Sequence, residues 1–121
     1  MLTKYLSRRE KKKIRIKKKI VGTSERPRVS VYRSLNQIYA QVIDDTVGKT
    51  LFSASSLSKE IADEIKKAEG KVAKATLVGE LLAKKAQENG IKTVVFDRSG
   101  YAYHGRVKAL CEGIRKGGIQ V

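Results

Sequence analysis

IKTVVFDRSGYAYHGRVKALCEGIRKG, residues 91–117, passes from one hydrophobic period to another across a short polar loop. Residues 91–96 are rich in β-branched side chains and bounded by Gly90 and Asp97, the composition of a buried strand. Val107, Leu110, Cys111 and Ile114 recur at helical spacing, so a helix with one apolar side is expected over 106–116. Gly117 and Gly118 offer a left-handed residue to end it. The loop between carries Arg98, Tyr101, Tyr103 and His104, with Arg106 just beyond it. A strand that delivers the chain to a loop and then a helix is a rigid platform. These side chains suit a partner bearing hydrogen-bond acceptors and negative charge.

Upstream of this platform, residues 71–87 read as the longest helix. Ala75, Val78, Leu82 and Ala86 lie on one side, widened by Val72 and Leu81. Gly79 inside it costs about 1 kcal/mol relative to alanine, and its expected use is close packing against a sheet. Ser58 is a candidate cap for a shorter helix over 59–68, with Ile61, Ile65 and Ala68 as its stripe and Gly70 as a break. Before that come three alternating runs joined by tight turns: RVSVYR at 28–33, QIYAQVI at 37–43 and KTLFSAS at 49–55. Val29 and Val31 oppose Ser30 and Tyr32 in the first; Ile38, Ala40 and Val42 oppose Tyr39, Gln41 and Ile43 in the second. The order β-β-β-α-α-β-α predicts an α/β fold with a mixed sheet of about four strands packed with helices. Three strands form an antiparallel meander, and a right-handed crossover makes the last parallel to a neighbour. Tyr32 and Tyr39 either present stacking faces to bases or pack across the strands, because alternation alone leaves the register open.

The charge is unevenly spread. The 121 residues hold 27 basic and 12 acidic groups, a net +15, and 12 of the basic groups fall within the first 28 residues. The expected organisation is a flexible basic arm over 1–24, with Gly22, Thr23 and Ser24 as hinge, followed by a globular domain over 25–121. Ser7 and Glu10 form a possible capping box, but like charges four apart oppose a helix there until a polyanion neutralises them. Nucleic acid is the leading partner. A membrane is not expected: no apolar run approaches the roughly 18 residues of a spanning helix, and the arm lacks bulky anchors. One cysteine and one histidine exclude an intrachain disulfide and disfavour a zinc site. Cys111 falls on the apolar stripe, as a buried thiol would, and the protein reads as reduced and cytoplasmic. No catalytic residues, metal ligands, cofactor or small-molecule substrate are expected. The one enzymatic alternative is a metal-dependent nuclease built on Asp44, Asp45 and Asp97. Against it, aspartate is ordinary in a hairpin turn, and Asp97 at a strand end suits arginine or backbone donors.

Four blocks carry a resemblance: KKKIRIKKKIVGTSERPRVSVYRS at 11–34, IYAQVIDD at 38–45, GKTLFSASS at 48–56 and GIKTVVFDRSGYAYHGRVKALCEGIRKGGIQV at 90–121. Together they closely resemble the bacterial large-subunit ribosomal protein L-eighteen family, which binds 5S ribosomal RNA, and FDRSG followed by YHGRVKAL is the most specific of them. The resemblance implies an α/β globule with a basic extension. It also implies attachment of 5S rRNA to 23S rRNA in the central protuberance, near ribosomal protein L-five. It assigns RNA contact to Arg8, Arg9, Lys11, Lys12, Lys13 and Arg15, and to Lys17, Lys18 and Lys19 of the extension. Arg26 and Arg28 match the entry to the first strand, and Arg98, Tyr103, His104, Gly105 and Arg106 the C-terminal signature. Tyr32 and Arg33 complete the candidate RNA-binding set. Ser99 stands where the family often carries glycine, and Cys111 where it carries small apolar residues. The rival reading is a nucleic-acid-binding or RNA-chaperone module that works outside the ribosome.

Overall fold

Alternation builds the sheet as expected. The computed structural model describes residues 21–121, so the basic residues from Arg8 to Lys19 and the capping box at Ser7 lie outside the described residues. Strands β1 (Arg28–Arg33), β2 (Ile38–Asp44) and β3 (Lys49–Ser55) come first. A 3-10 turn, Lys59–Ile61, leads to α1 (Ala62–Lys67) and α2 (Gly70–Glu88); β4 (Val95–Asp97) and α3 (Arg106–Lys116) complete the described chain. The sheet order is β3-β2-β1-β4, with the first three strands antiparallel and β4 parallel to β1. Val29, Val31, Ile38, Ala40, Val42 and Ala54 share one buried cluster with Val78, Leu82, Leu110 and Ile114 of the helices. Their neighbours along the strands, Ser30, Tyr32, Tyr39 and Gln41, take the opposite face.

Several local expectations give way to longer-range contacts. The strand expected over 91–96 joins the sheet only as Val95–Asp97. Its first half pairs instead with the chain after α3: Thr93 bridges Gln120 in parallel, Gln120 N donates to Lys92 O at 3.0 Å, and Val94 N donates to Gln120 O at 2.9 Å. Buried Ile119 carries that returning segment onto the core, so one β-prone run serves two partners. Ser58 caps nothing. Its Oγ accepts the Ser55 amide at 3.0 Å, and the helix it was expected to start opens as a 3-10 turn with no buried residue. Val72, read as part of the α2 stripe, is exposed. The helix over 106–116 forms as expected, and Gly118, at φ 93°, supplies the left-handed residue after it.

Gly79 packs against a helix, not a sheet. A Cβ built on it would lie 2.2 Å from Leu110 O, and one on Gly113 would lie 2.3 Å from Thr76 O. The backbones of α2 and α3 therefore meet where each lacks a side chain, which brings the two helices together over the sheet. Methyl groups there have only backbone to displace. Gly113→Ala is expected to cost about 1–3 kcal/mol, the usual penalty for overpacking. Gly79→Ala should destabilise as well, despite the gain of about 1 kcal/mol in helix propensity. Urea unfolding curves on both variants check this; a Gly79→Ala protein more stable than the parent contradicts the close crossing.

Candidate nucleic-acid interface

The described chain enters the fold at Gly22. Its N–H donates to Asp45 Oδ2 at 2.7 Å, and its carbonyl accepts the Asp45 amide at 3.0 Å. Gly22, expected in a hinge, is buried and pinned to the β2–β3 turn. Asp45 also accepts Arg28 Nε at 2.9 Å and Nη2 at 3.1 Å, while Arg28 Nη1 donates to Asp97 Oδ2 at 2.7 Å. The Arg28, Asp45 and Asp97 side chains are 11%, 26% and 4% exposed. The hydrogen bond to Asp45, opposed by burial and assisted by Asp97, pushes the Arg28 pKa up. Arg28 is thus a largely buried, permanently charged clamp whose donors point at protein. Two of the three aspartates of the nuclease reading are occupied by it, and the third, Asp44, accepts the Thr46 amide at 3.0 Å. Among the described residues, no group of three metal-ligating side chains gathers. Arg26 is exposed beside the entry point.

The loop after β4 is tied down at both ends. Asp97 Oδ1 accepts the Ser99 amide at 2.8 Å, and the hydroxyls of Ser99 and Ser30 lie 3.1 Å apart. These contacts hold Ser99 at φ 55°, a left-handed conformation that costs a non-glycine residue about 1–2 kcal/mol. Gly105 starts α3 at φ 57° and ψ −122°, a region open to glycine, and no side chain caps the helix. Tyr101 packs on the core; the Arg33 guanidinium lies 4.8 Å from its ring centroid, and its hydroxyl is 3.4 Å from the Arg33 backbone. Arg106 Nη1 donates to Ser34 O at 3.0 Å. The loop is therefore stitched to the end of β1.

Tyr103, by contrast, is 42% exposed. It meets Phe96 edge-on at 6.3 Å and accepts a 3.4 Å hydrogen bond from Arg115 Nη1. Burial of its phenol, helped by the Cys111 thiol and opposed by Arg115, raises its pKa. One tyrosine turns in and the other out, as their spacing of two allows. Cys111 is buried, as its place on the apolar stripe implied. His104 is exposed and Arg98 half-buried. Arg115 was absent from the sequence-derived set; its approach to Tyr103 depends on how the loop folds back over α3, and no local pattern marks it.

Because β4 runs parallel to β1, the loop sets out toward the Arg33 end of β1, where Arg106 reaches Ser34, and Tyr103 then folds back beside Phe96 and Arg115. Arg26 and the entry point lie at the other end, roughly 16 Å away along a six-residue strand. Between the two ends is the face of the sheet opposite the helices. There Tyr32 stands directly across from Tyr39, with ring centroids 5.8 Å apart and planes tilted by 39°. Ser30 stands across from Gln41, and these four with Ser34 line a depression of about 430 Å³. The tyrosines pack across the strands, on the face turned away from the described helices.

Removal of the Arg28 guanidinium leaves two carboxylates facing each other without a counter-charge. Arg28→Met is expected to cost about 3 kcal/mol, the lower end for breaking a buried pair because Asp45 is partly solvated. Arg26→Met, on the surface nearby, should change stability by less than about 0.5 kcal/mol. Chemical denaturation of the two variants tests the contrast, and equal stabilities would refute the clamp.

The sequence of the chain has close counterparts. Residues 3–121 match the sequence profile of ribosomal L18 of archaea, bacteria, mitochondria and chloroplasts. The large ribosomal subunit protein uL18 of Dictyoglomus thermophilum is 58% identical over 117 residues, covering 94% of this chain and 95% of its own length. The protein of the same name from Acetivibrio thermocellus is 60% identical over 112 residues, covering 93% and 91%. That of Bacteroides thetaiotaomicron is 55% identical over 119 residues, covering 98% and 99%.

Proposed function

The chain belongs to the ribosomal L18 family, and from that premise we propose that it is a structural protein of the large ribosomal subunit that binds 5S rRNA. It helps attach 5S rRNA to 23S rRNA in the central protuberance, beside ribosomal protein L-five, and works in the cytoplasm as part of the subunit. The carrying observation is identity of 55–60% along nearly the whole chain to proteins of the large subunit. Its role is to hold RNA, not to catalyse a reaction.

The geometry supports a division of labour. Residues 1–20 contain ten basic groups and one acidic group, and those groups neutralise phosphates, giving affinity and position with little sequence reading. Arg26 continues that track onto the globule. Arg28 acts differently from the other arginines of the set: it fixes where the basic segment leaves the sheet. At the other end of β1, Arg98, Tyr103, His104 and Arg106 form the second contact, held in shape by Tyr101, Arg33 and Ser99. Two contacts about one strand-length apart orient a folded RNA better than one.

A salt series with 5S rRNA and a scrambled RNA of equal length tests this reading. The intact protein should prefer 5S rRNA and sediment in stoichiometric amounts with large subunits. Loss of that preference and of co-sedimentation would instead mark a free RNA-chaperone module. With residues 1–20 deleted, the loss of six phosphate contacts would make the salt slope shallower by about 5 units on the duplex-DNA relation. An unchanged slope refutes the arm's role.

Arg106→Ala should weaken 5S rRNA binding about ten- to hundredfold, the effect of one charge-assisted contact of about 1.5–3 kcal/mol. Lys116 removes the same charge from the same helix, but its Nζ lies 3.2 Å from Glu80 on the helical side. Lys116→Ala should therefore have little effect. Equal losses on two folded variants, judged by NMR spectra, would reduce Arg106 to bulk charge.

A further inference from the structure

We propose, resting on the RNA-binding reading above, that the face of the sheet turned away from the described helices holds one unstacked RNA base against Tyr32, beside Gln41. The first observation is preorganisation. Tyr32 is 57% exposed yet its ring already leans on Tyr39, at 5.8 Å between centroids. An exposed aromatic fixed by its neighbour has lost part of its rotamer entropy before any ligand arrives, so stacking on it costs less. The two rings touch, so a base lies on the open side of Tyr32, not between the rings.

The second observation is the chemistry around the ring. The next position on each strand places Ser30 and Gln41 in the same depression, and across β2 the same face continues as Ser53 and Ser55. The Ser30 hydroxyl is occupied by Ser99 and that of Ser34 by the Gln37 backbone. Gln41, exposed, makes no side-chain hydrogen bond among the described residues, and its amide offers one acceptor and two donors. An aliphatic protein surface pressed onto this patch would bury these polar groups without partners. A base has a flat apolar face for the ring and a polar edge for the amide, which suits sequence-tolerant stacking with modest edge reading.

The third observation is charge. Arg106 Nη1 bonds the carbonyl of Ser34, and Ser34 lines the depression. A guanidinium therefore stands at the rim, on the side of the loop already assigned to RNA. A nucleotide whose base lies on Tyr32 can turn its phosphate toward that rim. The aromatic patch and the loop become one continuous surface along the end of β1.

The test uses the intact protein and two labelled probes at one salt concentration, octauridylate and a blunt RNA duplex with the same number of phosphates. Tyr32→Leu keeps an apolar side chain of moderate size at an exposed position, and circular dichroism confirms the fold. It should weaken octauridylate binding about tenfold, the usual cost of removing one stacking platform, and leave duplex affinity unchanged. Tyr32→Phe should keep octauridylate affinity, and Gln41→Ala should lose a smaller part of it. Equal losses of Tyr32→Leu on both probes, no loss on either, or a Tyr32→Phe loss as large as that of Tyr32→Leu would each overturn the proposal. Selectivity of the parent for 5S rRNA over scrambled RNA is measured alongside. If that selectivity is present and Tyr32→Leu is silent on octauridylate, the base platform alone fails; if it is absent, the wider reading fails.

Discussion

Arg28 lies on the second strand from the sheet's edge and holds a carboxylate on each side. Asp45 comes from the turn after β2 and Asp97 from the end of β4, so one guanidinium ties β1 both to its hairpin partner and to a strand distant in sequence. Much else follows from where it sits. Asp45 uses the same carboxylate to take the Gly22 amide, which sets the point at which the basic segment meets the globule. Asp97 uses its other oxygen to fold the chain at Ser99, which starts the loop that carries Tyr103, His104 and Arg106. Both ends of the proposed RNA contact are thus built outward from one partly buried ion triad. Such a triad is poor value as stability against an apolar replacement of equal volume. Its worth here is geometric, since a fork of fixed N–H directions specifies where two loops stand.

The same residue type therefore does opposite work along this chain. A net +15 disfavours compaction through self-repulsion, and the internal acids blunt it only locally. On the helical side, Glu60 and Glu80 approach Lys85 and Lys116 at 3.8 and 3.2 Å, surface pairs of small energetic value. Uncompensated arginines remain around the entry point and at the loop end of β1.

Crossing of α2 over α3 at Gly79 and Gly113 is the second constraint. Backbone contact between the helices lets both sit low on one face of a four-stranded sheet, with the Val and Ile side chains of β1 and β2 beneath them. All the helices among the described residues go to that face. The other face is left with tyrosine, serine and glutamine, side chains that tolerate water and can also meet a nucleic acid. One-sided packing thus supplies the surface that a protein of this size can spare for a partner.

The local elements were legible in the residue pattern, for a physical reason. Alternation in RVSVYR and IYAQVI and the helical spacing of Val107, Leu110, Cys111 and Ile114 report which side of each element avoids water, and that depends on near neighbours alone. The excess of positive charge before Arg28 and the family blocks likewise belong to the linear chain, and they carried the function. Partners across the fold were decided elsewhere. Nothing local tells Thr93 to pair with Gln120 or Gly79 to meet Leu110. Arg28 reads from the sequence as one more cation beside Arg26, and only the arrival of Asp45 and Asp97 from either side turns it inward. Register came from a local closure that alternation does not report: Tyr32 faces Tyr39 because the turn between β1 and β2 closes at Ser34 and Gln37, whose backbone hydrogen bond is 2.9 Å. A pattern of burial says which face a residue takes; which residue it meets there depends on contacts between distant segments.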